Sequence, residues 1–150
     1  MQYVYDYPRA SVTVDIIVFC MFDKEMSVLL IQRGKEPFRE KWALPGGFIE
    51  MEETLLETGR RELKEETGLE NINLHQFKSY GDPHRDPRGR TISVVFYGFT
   101  TPENSSVIGG DDASGAAWFP INRLPELAFD HNQILNDMIS SNYFQSEINQ

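Results

Sequence analysis

Between Gly47 and Leu69 the chain reads GFIEMEETLLETGRRELKEETGL, with seven glutamates (Glu50, Glu52, Glu53, Glu57, Glu62, Glu65, Glu66) against three basic residues (Arg60, Arg61, Lys64). Glu62, Glu65 and Glu66 stand at i, i+3 and i+4, the spacing that places side chains together on one face of a helix. Three carboxylates on one face repel one another unless a cation lies among them. The best-placed basic residues, Arg61 and Lys64, fall to other sides of the helical wheel, so counter-charge is scarce. A solvated acidic face is the ordinary reading of such a charge run. Hard divalent cations, however, take oxygen ligands, and Mg²⁺ is held by one or a few carboxylates together with substrate phosphates. The residue types point to a magnesium site.

Those carboxylates need a helix with a fixed entry and exit. Thr54 with Glu57 three residues later forms a capping box, and Gly68 is placed to end the helix as the residue beyond its C-cap. Leu56, Leu63 and Thr67 fall about a quarter turn from the acidic face and form the core-facing stripe. Gly59 inside the helix costs about 1 kcal/mol relative to Ala. The turn-forming, apolar Trp42-Ala43-Leu44-Pro45-Gly46-Gly47-Phe48 precedes the helix and fixes its approach.

Gly47, Glu53, Arg61, Glu62, Leu63, Glu65, Glu66, Gly68 and Leu69 match, at every fixed position, the signature of the Nudix hydrolase family, which this stretch closely resembles. The resemblance implies an α/β fold, a Nudix α/β/α sandwich around a mixed β-sheet, and hydrolysis of a nucleoside diphosphate derivative. It implies that Glu62, Glu65 and Glu66 ligate Mg²⁺ or Mn²⁺, while Glu53 and Arg61 brace the loop. The base that activates water is then either Glu65 or a loop acid, Asp112 with Asp111 beside it. The same Asp111-Asp112 pair reads equally well as a turn.

Composition bounds the partners. With 150 residues the chain is expected to form one domain over residues 1–150, and 40% apolar with 25% charged residues is ordinary for a globular protein. A net charge of −9 argues against nucleic acid and anionic membranes as partners, both of which need basic surface. Cys20 is alone and sits in an apolar run, so no intrachain disulfide is possible and a core role is expected. The N-terminus lacks a basic segment followed by an apolar one, and the run from Ile16 to Phe22 is too short to span a bilayer. A cytoplasmic protein is expected.

Along the chain, residues 1–10 carry three tyrosines and Pro8 and read as an arm or a dimerisation strand. Residues 11–22 alternate and then turn wholly apolar, a strand half covered at first and buried later. A polar turn at 23–25 leads to a second strand over 27–32, forming a hairpin. Residues 72–80 and 91–99 read as strands and 116–120 as a short one. Residues 101–114 form a polar loop. Asp130 is placed to N-cap a final helix with Ile134, Leu135, Met138 and Ile139 apolar, and the tail from Ser141 is expected to fray. Between the middle strands, residues 81–90 hold two prolines, two glycines and three arginines. A solvated loop is the ordinary reading of such a segment, but a cationic cluster in an acidic protein also suits phosphate or carboxylate recognition.

Outside the glutamate stretch, residues 11–15, 42–47, 87–93 and 127–131 resemble the ADP-ribose pyrophosphatase branch of the family. That resemblance implies ADP-ribose cut to AMP and ribose 5-phosphate by a homodimer. Gly46, Gly47, Arg33, Arg85, Arg88 and Arg90 would then contact the substrate. The same features recur in Nudix-based regulators of NAD or sugar metabolism, so a ligand-sensing module is the alternative. A hydrolase of nucleoside triphosphates or of other nucleotide sugars is a third reading.

Overall fold

Strand β1 (Ser11–Phe22) runs through the middle of the sheet, and residues 14–20 of it are buried on both faces. Its apolar run divides by parity, because successive strand residues point to opposite faces. Ile17 and Phe19 pack with Ile134, Leu135, Met138 and Phe144, whereas Val14, Ile16 and Val18 pack with Leu63 and Leu69. The computed structural model describes residues 2–109 and 113–149. Asp111 and Asp112 lie outside the described residues.

The hairpin partner β2 (Glu25–Arg33) pairs antiparallel with β1 only near the turn, from Phe19 opposite Val28 to Phe22 opposite Glu25. Beyond that point the two strands splay. The intervening segment fills the gap: β3 (Trp42–Ala43) pairs with β2 at Ile31 and Gln32, and β4 (Gly46–Phe48) pairs with β1 at Thr13 to Asp15. Helix α1 (Leu55–Thr67) follows, then β5 (His75–Tyr80), β6 (Thr91–Thr100), a 3-10 turn (Pro102–Asn104) and β7 (Ala113–Pro120). Strand β6 runs parallel to β1 over ten paired positions, and the other strand-to-strand pairings among the described residues are antiparallel, so the sheet is mixed. Helices α2 (His131–Ile139) and α3 (Asn142–Ile148) cover the face opposite α1, completing the α/β/α sandwich expected from the sequence.

Helix α1 has the predicted caps: the Thr54 side chain accepts from Glu57 N, the Glu57 side chain accepts from Thr54 N, and Gly68 closes the helix at φ 81°. Two expectations fail. The tail does not fray, because Ser141 accepts from Phe144 N to start α3, and the Phe144 ring inserts against Phe19 with centroids 4.8 Å apart. Asp130 sits at the N-cap of α2, but its carboxylate makes no cap hydrogen bond. Arg85 binds it instead through a two-pronged ion pair that outcompetes a neutral backbone N–H.

Candidate active site

The acidic face of α1 is organised by one guanidinium. Arg61 donates from Nε to Glu53 Oε2 at 2.6 Å and from Nη2 to Glu53 Oε1 at 2.9 Å. Its remaining nitrogen, Nη1, donates to Glu62 at 2.9 Å and to Glu65 at 3.2 Å. The sequence reading that turned Arg61 away from the acids is therefore corrected. A helical wheel gives the direction of the Cβ, but the long side chain folds back and its planar fork reaches three carboxylates. The hydrogen bonds from Arg61 hold the Glu53 carboxyl down to about 2, and the same bonds strengthen the grip of Arg61 on its proton. Thr58 Oγ also donates to Glu53, so this carboxylate is fixed from two sides.

Glu66 is held differently. Only 8% of it is exposed, and Gly46 N donates to its Oε1 at 2.7 Å. Burial pushes its carboxyl up to about 8, with the neighbouring Glu62 and Asp15 adding to the effect. Burial likewise pushes Glu62 up, against the pull of Arg61. Two glycines let the backbone come this close. A β-carbon on Gly47 would overlap the Glu62 carboxylate, and one on Gly46 would overlap the Val14 carbonyl oxygen. Gly46 is thus a requirement of backbone space, and Gly47 a requirement of the position that Glu62 takes.

As the side chains stand, no three acidic, histidine or cysteine groups among the described residues converge tightly enough to ligate a metal. The donors nevertheless fit a hard divalent cation. Glu62, Glu65 and Glu66 present carboxylate oxygens along one helix face, two of them are destabilised as anions by burial, and a cation would offset that cost. Such an ion would compete with Arg61 Nη1 for Glu62 and Glu65, while Glu53 keeps the guanidinium anchored.

A cavity of about 350 Å³ opens beside this face, lined by Glu62, Glu66, Gly46 and Gly47 together with Arg33, Arg85 and Arg88. Arg85 is almost fully buried on Asp130, with contacts of 2.6 and 2.8 Å. Arg88 is fixed by Asp86 and lies over two rings, 4.7 Å from the centre of Phe48 and 5.1 Å from that of Phe129. Arg33 stands 5.0 Å from the same Phe129 ring and donates to the Pro37 carbonyl at 2.7 Å. Arg90 does not line the cavity; its guanidinium donates to the Gly81 carbonyl. Glu53 and Glu65 also stay outside the lining and act on it through Arg61.

Sequence reasoning did not single out Asp15 or His131, which also line the cavity. Ser93 Oγ donates to Asp15 Oδ2, and His131 Nε2 lies 3.8 Å from that same oxygen. His131 Nδ1 accepts from Leu44 N at 3.0 Å. The lone charged residue of the central strand was the available signal, since an acid there needs buried partners.

The family model of the NUDIX domain matches residues 11–139. The chain belongs to the Nudix family. It is 44% identical over 131 residues to an ADP-ribose pyrophosphatase of Methanocaldococcus jannaschii, covering 87% of this chain and 74% of that one. It is also 39% identical over 94 residues to the ADPR responsive transcriptional repressor NtrR of Acinetobacter baylyi, covering 61% of this chain and only 38% of the repressor. Among solved structures, the NUDIX domain of Shewanella oneidensis NrtR complexed with ADP ribose superposes with a TM-score of 0.81 at 32% identity, covering 89% of this chain and 91% of that one. The Nudix architecture read from the sequence is thus met both in sequence relatives and in three dimensions.

Proposed function

We propose that this Nudix protein hydrolyses ADP-ribose to AMP and ribose 5-phosphate with Mg²⁺ or Mn²⁺ held by Glu62, Glu65 and Glu66. The observation that carries the reading is a single cavity lined both by the Glu62 and Glu66 carboxylates and by the guanidinium groups of Arg33, Arg85 and Arg88, a combination that suits a diphosphate ester with a metal and free phosphate oxygens. Similarity to an ADP-ribose pyrophosphatase over most of both chains supports the substrate. When bound, the metal would neutralise bridging phosphate oxygens and acidify a coordinated water.

The chain's own groups supply the rest. Arg61, anchored on Glu53, orients Glu62 and Glu65. Glu65 is the more exposed of the two, with 41% of its side chain in solvent against 15% for Glu62, and is one candidate to take the water proton. Asp112 is the alternative base. Water adds to one phosphorus, the bridging P–O bond breaks, and the proton leaves on the base. Arg33, Arg85 and Arg88 bind the phosphates or ribose, and the rings of Phe48 and Phe129 hold two of these guanidinium planes in place. The same proposal includes one Nudix domain over residues 1–150, a cytoplasmic setting and a homodimer.

The similarity to NtrR favours a second reading, an ADP-ribose sensor. Incubation with ADP-ribose and Mg²⁺, with AMP release followed by chromatography, separates the two. Turnover that Glu66→Gln nearly abolishes supports the hydrolase. Intact turnover in that variant would sink the metal assignment, and tight binding of ADP-ribose without turnover would favour the sensor.

A further inference from the structure

The segment Leu44-Pro45-Gly46 is pinned at three backbone groups, each by a different element. Leu44 N donates to His131 Nδ1 of α2 at 3.0 Å, Ile16 N of β1 donates to the Pro45 carbonyl at 2.8 Å, and Gly46 N donates to Glu66 Oε1 of α1 at 2.7 Å. Helices α1 and α2 lie on opposite faces of the sheet, so this three-residue segment ties a buried histidine on one face to a buried carboxylate on the other. We propose that His131 is a positioning residue: by accepting from Leu44 N it sets the Gly46 amide, and through that amide the orientation of the Glu66 carboxylate. The inference rests on the metal-holding role proposed for Glu66.

The chemistry requires a neutral imidazole of one tautomer. Accepting at Nδ1 leaves the proton on Nε2, which faces Asp15 Oδ2 at 3.8 Å. Burial keeps the ring neutral by lowering its affinity for a second proton. Asp15 is in turn held by Ser93, and it lies opposite Gly46 in the pairing of β1 with β4. The ring is thus held through Nδ1 with Nε2 turned toward Asp15, and the backbone it holds has little freedom: Gly46 has no room for a β-carbon. The partner of a metal-binding carboxylate typically changes metal affinity or activity by about 10–100-fold when removed.

Three substitutions separate hydrogen-bond acceptance from bulk. Asn places an oxygen where Nδ1 stands, Gln places one where Nε2 stands, and Leu fills the volume with no acceptor. Amide hydrogen exchange by NMR on the metal-free protein reads Leu44 and Gly46 directly, and Mn²⁺ affinity by electron paramagnetic resonance reads the consequence. In His131→Leu, protection of both amides should fall by an order of magnitude or more while the α1 interior stays protected. Its Mn²⁺ affinity should drop about 10–100-fold. His131→Asn should restore both readouts and His131→Gln neither. Unchanged Gly46 protection in a folded His131→Leu protein would overturn the proposal, as would a His131→Asn protein no better than His131→Leu. Wild-type protein with the expected exchange pattern but no Mn²⁺ binding would support the positioning role and overturn the metal reading instead.

Discussion

Arg61 grips Glu53 with two of its nitrogens, at 2.6 and 2.9 Å, and spends only the third on Glu62 and Glu65. The unequal division matters. A guanidinium anchored off the cavity can surrender Glu62 and Glu65 to a metal without leaving its place, whereas a guanidinium with no anchor would follow them. Glu53→Gln removes the anchoring charge and should raise the Mn²⁺ or Mg²⁺ concentration giving half-maximal rate. Arg61→Lys keeps the charge but loses the fork, and kcat/KM should fall about 10–100-fold. Because both substitutions break one device, the double variant should be no worse than the more damaging single one. Initial rates across a metal titration check this, and additive losses would show that the two residues act separately.

Glu66 makes stability depend on pH in an unusual direction. Its carboxyl rises from the ordinary 4.5 to about 8 in the folded, metal-free protein. The native state therefore binds more protons than the unfolded state between those values, and stability falls as pH rises through that window. The contribution is fully present below about pH 4.5 and gone above about pH 8. At ~1.4 kcal/mol per tenfold change in proton affinity, its upper bound is several kcal/mol. Urea unfolding in EDTA at pH 5, 6.5 and 8 should show this decline, and Glu66→Gln should flatten it. Added Mg²⁺ should restore stability at pH 8, by about 2.7 kcal/mol at one hundred times its Kd. A wild-type protein equally stable across the window would remove the basis of the assignment.

The parts of the site that were legible in the sequence are those specified within a few residues. Thr54, Glu57 and Gly68 define α1 through local hydrogen bonds, and the spacing of Glu62, Glu65 and Glu66 alone puts them on one face. The two-faced burial of β1 was likewise readable from its unbroken apolar run. What failed depended on distant partners. The tail was expected to fray, but Phe144 packs against Phe19 and Phe99, both far away in the chain. Asp130 looked like a cap because its partner Arg85 lies 45 residues earlier. His131 and Leu44 are 87 residues apart, so no local pattern could join them.

The Arg85–Asp130 pair separates binding from folding. Arg85 has 5% of its side chain exposed and Asp130 has 18%, so removing one partner strands a charge in a poorly solvated place. Asp130→Ala should cost about 3 kcal/mol in urea unfolding. Replacing both with apolar residues, as in Arg85→Met with Asp130→Leu, should recover much of that loss, since buried pairs are often no better than well-packed apolar ones. If Arg85 contacts the substrate, the double variant should still show a strongly raised KM for ADP-ribose. A double variant with normal KM would make Arg85 a purely structural cation.

Three glycines near α1 respond to the same substitution in opposite ways. At Gly46 and Gly47 a methyl group would strike the Val14 carbonyl and the Glu62 carboxylate, so Gly47→Ala should displace Glu62 and reduce turnover. At Gly59 a methyl group would meet Val14 Cγ1 at 3.4 Å, Ile16 Cγ1 at 3.8 Å and Leu74 Cδ1 at 3.9 Å, all ordinary contacts with apolar side chains. Helix propensity then favours Ala by about 1 kcal/mol, and no other term opposes it. Gly59→Ala should raise Tm by about 2–4 °C with kcat and KM unchanged, because residue 59 faces the core between α1 and β1 and touches no site carboxylate. Calorimetry beside an AMP-release assay tests both halves at once. A destabilised Gly59→Ala protein would mean that α1 sits closer to β1 than these distances allow.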